Sequence, residues 1–314
     1  MYDQEKLIYE TNDIMKSLSI PGMSIACSKE GEIIWSQALG YNNIDKKLKT
    51  SFDTCYFIGS ITKVFTSIIL LQYVEEEKMS LDDYVNKYGL HMSAFNSVTI
   101  RNLMTHTSRG TPGDNFNYSD NRFSMLQKVI MNVSDYSLYD QFQKRIINPL
   151  KMNDTIACTM INHKAYSSIR ERLSTPYITS TGHVEETNNP TYFGANDGLV
   201  SAPNDIMTLL LALDGEALLK NRQNLLLSNQ KTNTGELLPL SLVCFIQVVN
   251  GEKIAWHFGC VQGFSALIIK AINKRMSFVI LANNDSMCFP FHLEHGNILG
   301  SPIAQCILKY IQDC

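Results

Sequence analysis

The stretch from Phe57 to Lys78 constrains this chain most. Apolar residues at Ile61, Val64, Phe65, Ile68, Ile69, Leu71 and Val74 recur at helical spacing, with further apolar residues among them. A helix that is apolar on most sides belongs in a domain interior. Gly59 and Ser60 stand where this helix should begin, and Glu75-Glu76-Glu77-Lys78 mark its exit. Lys63 lies one turn after Ser60 and on the same face. A serine at a helix start sees unpaired N–H groups and the positive end of the helix dipole, which stabilise developing negative charge. A lysine one turn away accepts the serine proton if burial or other cations lower its pKa. The plainer reading is an N-cap serine and a solvated lysine, and serine and lysine three apart arise by chance in most chains. What favours chemistry is the setting, because an unpaired ammonium in an apolar helix is costly.

With 314 residues, 45% of them hydrophobic and 18% charged, the chain can bury a sizeable core as one large domain or two intimately packed ones. A formal net charge of -3 gives no electrostatic footprint for nucleic acid. No apolar run is long enough to span a bilayer. Met1-Tyr2-Asp3-Gln4-Glu5-Lys6 lacks the basic-then-apolar pattern of a secretory signal, so the expectation is a cytoplasmic protein or a trimmed mature periplasmic or extracellular form. None of the eight cysteines forms a C-x-x-C pair, which leaves a zinc cluster unsupported. Cys27, Cys244 and Cys306 read as buried free thiols.

Residues 4 to 19 carry an amphipathic helix pattern ended by Pro21-Gly22. Met23–Cys27 and Ile33–Leu39 read as a hairpin across Lys29-Glu30-Gly31-Glu32, followed by polar loop from Gly40 to Thr50. Thr99–Met104 starts a short helix, residues 121 to 133 and 136 to 148 read as two longer ones, and residues 174 to 197 as a polar surface excursion. Asn204-Asp205 is expected to cap a helix from Ile206 to Leu213. Strands follow at Leu242–Val249, Lys253–Phe258, Ser265–Ile272 and Met276–Ala282, the last two meeting across Asn273-Lys274. A closing helix at 301 to 313 places Ile303, Cys306, Ile307 and Tyr310 on one stripe. Strands at both ends with helices between them predict an α/β (α+β) fold: an antiparallel sheet flanked by helices, plus a helical insertion lobe. The expected division is residues 1–57 and 205–314 as the sheet domain and 58–204 as the lobe carrying Ser60, Lys63 and Tyr118.

Three islands now line up: Ser60-Ile61-Thr62-Lys63, then Tyr118-Ser119-Asp120 after Leu103-Met104-Thr105-His106-Thr107-Ser108, then His257-Phe258-Gly259 between two expected strands. Together they resemble the penicillin-recognising serine hydrolases, in the group of class C β-lactamases, D-alanyl-D-alanine peptidases and esterases. Members carry S-x-x-K, Y-x-N and K-T-G or H-x-G in this order. Ile20-Pro21-Gly22-Met23-Ser24, Phe57-Ile58-Gly59-Ser60 and Asp197–Ser201 with Asp205 also look like family positions, so the resemblance extends over most of the chain.

The resemblance implies a β-lactamase/transpeptidase-like fold and a nucleophilic Ser60 that forms an acyl-enzyme. It implies Lys63 and Tyr118 as a joint general base, and the backbone N–H groups of Ser60 and Cys260 as the oxyanion hole. Gly259 would let substrate lie close along the strand. His257, standing for the lysine of K-T-G, would orient Tyr118 or meet a substrate carboxylate; as a lone residue it reads as a strand histidine packed against Trp256. The departure is Asp120, where the family usually has asparagine. An ionised aspartate only accepts hydrogen bonds, so it would hold Lys63 as a cation, lose the donor to an acylamino substrate, and suit a substrate amine. Arg109 is expected to partner Asp120 or Asp114. His106 reads as a loop-tying residue, and His292, Glu294 and His295 lack the i, i+4 spacing of a zinc site. The expected activity is hydrolysis of a small amide or ester, with neither metal nor cofactor. The alternatives are acyl transfer from the same acyl-enzyme, or a catalytically silent protein that binds peptide or β-lactam. Oligomeric state is open.

Overall fold

The structure, a computed structural model, describes residues 3–91, 96–180, 182–220 and 226–314. Twelve strands run in chain order: β1 Gly22–Lys29, β2 Glu32–Asn43, β3 Leu48–Lys49, β4 Tyr56–Phe57, β5 Ile156–Ala157, β6 Tyr177–Ser180, β7 His183–Glu186, β8 Leu199–Ser201, β9 Phe245–Val249, β10 Glu252–Val261, β11 Phe264–Ala271 and β12 Met276–Ala282 among the described residues. The main sheet has the order β3-β2-β1-β12-β11-β10-β9, and its paired neighbours are antiparallel. The first strands of the chain thus lie beside the last, with Met23 opposite Ala282 and Lys29 opposite Met276. The β1–β2 hairpin turns on Glu30 (φ 52°) and Gly31 (φ 92°), the left-handed pair that a tight two-residue turn requires.

Every residue of β11 and β12 is buried. Such continuous apolar strands usually signal a parallel sheet; here an antiparallel sheet is covered on both faces. On one face, Cys27, Ile269, Phe278 and Ile280 pack against Leu7 and Met15 of the N-terminal helix (Gln4–Ser17) and Ile303, Cys306 and Ile307 of the C-terminal helix (Pro302–Asp313). On the other, Ala26, Ile268, Val279 and Leu281 belong to a core built around the Ser60 helix (Thr62–Glu75). From Thr62 to Leu71 that helix is buried throughout, as its all-round apolar character requires.

Several elements differ from expectation for identifiable reasons. The span 121–148 is not two long helices but Asp120–Phe123, Leu126–Ser134 and Leu138–Phe142, with a π-helical turn at Gln143–Ile147. Asp135 in the left-handed region (φ 59°) closes the second of these. The polar stretch 174–197 contains the β6–β7 hairpin, and the loop after Gly40 contains the end of β2 and β3. The helix at Pro203–Ala212 starts without a side-chain cap; Asp205 accepts instead from the Asp154 amide and the Thr155 hydroxyl, both at 2.8 Å.

The join between sheet and Ser60 helix depends on two glycines. β9 pairs with β10 only from Glu252 to Trp256, which leaves the edge of His257–Val261 free for the turn Gly59–Ile61 to dock. Gly59 adopts φ 52°, and a Cβ there would stand 2.7 Å from the Cys260 nitrogen. A Cβ on Gly259 would stand 2.0 Å from the Ile58 carbonyl oxygen. Backbone meets backbone, so neither side has a flexible group that can yield. Gly259→Ala is therefore expected to destabilise the protein by about 1–3 kcal/mol in urea unfolding, the range for overpacking. Wild-type stability in that variant would contradict the close approach.

Candidate active site

Ser60 sits in the single 3₁₀ turn Gly59–Ile61, which runs directly into the long helix and points the serine at the free edge of β10. Lys63 is 1% exposed. Its ammonium donates to Ser60 Oγ at 2.5 Å, to Asp120 Oδ1 at 2.5 Å and to the Asn196 carbonyl at 3.3 Å. All three of its protons are thus engaged, and the cost of burying the charge is met by a carboxylate and two further acceptors. Burial pulls the Lys63 pKa down, but Tyr118 and Asp120 outweigh it, and the net direction is up. The Ser60 hydroxyl also faces Asp120 Oδ1, at 3.5 Å.

Tyr118 enters the same site from the loop before the Asp120 helix. Its ring stacks on His106 with centroids 4.3 Å apart and packs on Phe258 at 5.6 Å. Lys63 Nζ lies 5.1 Å from the ring centroid. The Tyr118 hydroxyl is buried without a well-formed hydrogen bond, yet it is close enough to Ser60 and Lys63 that both favour its ionised form. Burial outweighs them and raises its pKa, so the resting phenol keeps its proton.

His106 accepts from the Ser119 amide through Nδ1 at 3.0 Å, which ties the loop at the motif it supports. Burial, then the charge of Lys63, hold it well below the usual histidine range. His257 is also buried, and its Nδ1 donates to the Phe258 carbonyl at 2.7 Å. Burial and the nearby Lys63 push it down to about 3, a neutral imidazole. Its ring packs against Phe245 and Phe258, and it is not among the residues that line the cavity at Ser60. Arg109 reaches neither Asp120 nor Asp114; its guanidinium donates to Ser119 Oγ at 3.2 Å, while Asp114 accepts from Asn233.

Ser60, Tyr118 and Asp120 share one cavity of about 360 Å³ with Phe258, Cys260, Cys288, Phe289, His292 and Glu294. That volume is at the small end of ligand pockets. Phe258 and Cys260 form its strand wall, with the Cys260 amide held against the turn that carries Ser60. Two features escape sequence reading. The Asn196 carbonyl on Lys63 is a backbone group with no side-chain signature. His292 and Glu294 reach the cavity from short turns at Phe289–Phe291 and Leu293–His295, which carry no motif.

A family model described as Beta-lactamase matches residues 11–297. Protein flp of Staphylococcus aureus (strain N315) is 25% identical over 325 residues, covering 91% of this chain and 64% of that protein. The chain thus spans less than two thirds of the length of that curated relative. Teichoic acid D-alanine hydrolase of Staphylococcus aureus is 25% identical over 181 residues, covering 49% of this chain and 46% of that protein. Among solved structures, the octameric penicillin-binding protein homologue from Pyrococcus abyssi has TM-score 0.85 at 24% identity, covering 98% of this chain and 77% of that chain. D-amino acid amidase from Ochrobactrum anthropi SV3 has TM-score 0.79 at 18% identity, covering 98% of each. Matched by the family model over most of its length, and holding Ser60 and Lys63 in contact at the head of a buried helix, the chain belongs to the Beta-lactamase family.

Proposed function

We propose that this chain cleaves a small ester or amide through an acyl-Ser60 intermediate, and that the acyl group is an amino acid with a free amine. The observation that carries the first part is the Lys63 ammonium 2.5 Å from both Ser60 Oγ and Asp120 Oδ1, beside the cavity that Ser60 and Asp120 line. Ser60 Oγ attacks the carbonyl carbon, and the developing oxyanion is met by the Ser60 and Cys260 amides. Once Lys63 has released a proton to solvent, its neutral amine, with Tyr118 beside it, takes the serine proton and passes it to the leaving group; water then reverses the sequence and frees the acid. A Ser60 already in contact with Lys63 speaks against a silent binding protein. The second part is supported by Asp120, an acceptor where the family pattern has an amide donor. It is supported too by relatives whose names are D-amino acid amidase and teichoic acid D-alanine hydrolase. β-Lactams are then slow substrates or inhibitors.

Ser60→Ala is expected to abolish turnover of p-nitrophenyl acetate and the mass increment left by a fluorophosphonate, while the circular dichroism spectrum stays as in the wild type. Lys63→Ala should lower turnover by at least about 10³-fold, because nucleophile and base act as a unit. Near wild-type turnover in the serine variant would reduce Ser60 to a helix cap.

Asp120 also sets the pH dependence. Serine activation needs a Lys63 that has released its proton, and the carboxylate holds that proton on. Wild-type activity therefore climbs with pH into the alkaline range. Tyr118 and Asp120 both raise Lys63; Asp120→Asn removes the second of them, so the climb should begin at lower pH. The variant also regains an amide donor, and β-lactam hydrolysis should increase; leaving such a pairing unmet costs about 1–3 kcal/mol. Unchanged kcat/KM for a cephalosporin together with an unchanged pH profile would show that Asp120 does not govern the site.

A further inference from the structure

The charge on the cavity walls does not balance. Two carboxylates line it, Asp120 and Glu294, and no lysine or arginine is among its lining residues. Asp120 is matched one to one by Lys63 through Oδ1. Glu294 has a different partner: its Oε1 faces His292 Nδ1 at 3.3 Å, a contact that neutralises it only when the imidazole is protonated. Its side chain is 39% exposed, so the carboxylate is open to whatever enters. Ser60 and Tyr118 line the same cavity, and the Tyr118 hydroxyl is buried without a well-formed hydrogen bond. Phe258 and Phe289 complete the lining with apolar surface.

A ligand held here therefore meets apolar walls, a nucleophile at one end and an unmatched negative charge on another wall. We propose that Glu294 is a specificity-determining residue, binding the ammonium group of the substrate while its carbonyl lies at Ser60. The proposal rests on the reading of Ser60 as nucleophile and deepens the substrate class stated above. It moves the principal recognition of the amine from Asp120, whose charge Lys63 already answers, to Glu294. An ammonium in this position donates to a carboxylate in a partly enclosed space, where a charge-assisted hydrogen bond is stronger than on open surface. His292 holds the Glu294 carboxylate from two residues away and acts as a positioning residue.

The test follows fluorophosphonate labelling of Ser60 by mass spectrometry, with D-alaninamide or N-acetyl-D-alaninamide as protecting ligand. Labelling itself reads the nucleophile; the ratio of the two protection constants reads Glu294. In the wild type the cationic amide should protect at lower concentration than its neutral analogue. Glu294→Gln should lower that ratio about tenfold, the equivalent of one charge-assisted hydrogen bond, with each protection constant read against that variant's own unprotected labelling rate. Glu294→Lys should invert the preference in favour of a carboxylate ligand such as N-acetyl-D-alanine. The Glu294 side chain is part-exposed and lies outside the buried core, so neither substitution threatens the fold. A wild type that labels without preferring the cation would overturn the proposal. So would a preference that survives Glu294→Gln and disappears in Asp120→Asn, since that assigns the ammonium to Asp120. Absence of labelling in the wild type would instead overturn the reading of Ser60, and the proposal with it.

Discussion

A buried ammonium organises this molecule. Lys63 sits in the first turn of a helix that is buried from Thr62 to Leu71, in the core that packs against the main sheet. A charge there persists only with partners. Those partners come from three separate parts of the chain: Ser60 from the preceding turn, Asp120 from the helical region, and the Asn196 carbonyl from the loop before β8. Assembling them requires the whole fold, which is why the lysine is both a structural tie and a chemical group. The same contacts decide its protonation. Burial lowers its pKa, whereas the neighbouring Tyr118 and Asp120 reverse the direction.

The second requirement is proximity between the helix that carries the nucleophile and the strand that receives the substrate. Gly59 and Gly259 let two backbones meet with no side chain between them. β9 stops pairing at Trp256, so the edge beyond it is open to the turn. The aromatic cluster behind the site, with Tyr118 between His106 and Phe258, fixes the phenol without tying up its hydroxyl. Rigid walls around an unmatched hydroxyl are what a pre-organised site needs, because no group must move before the substrate arrives.

The parts of this arrangement that were legible in the sequence are those with a local cause. The Ser60 helix announces itself through its long apolar repeat, β11 and β12 through β-branched and aromatic runs, and the C-terminal helix through the stripe of Ile303, Cys306, Ile307 and Tyr310. The order of the three motif islands carried the family and its fold. What stayed hidden has non-local causes. Asp205 reads as a helix cap but serves Asp154 and Thr155, far earlier in the chain. The β6–β7 hairpin is polar because it lies largely on the surface, which erases the alternation a buried strand would show. His292 and Glu294 read as a poor metal motif; only the turns after β12 bring them to Ser60. Arg109 had two acidic candidates in sequence and bonds to a serine instead.

The central claim is that Lys63 rests as an ammonium shared between Ser60 and Asp120. The direct measurement is the pH titration of the Lys63 side chain by carbon-detected NMR of lysine-labelled protein, assigned with the Lys63→Ala spectrum. The account predicts that Lys63 remains protonated through neutral pH and releases its proton above the ordinary lysine range of about 10.4. Release near or below neutrality in the wild-type protein would contradict it.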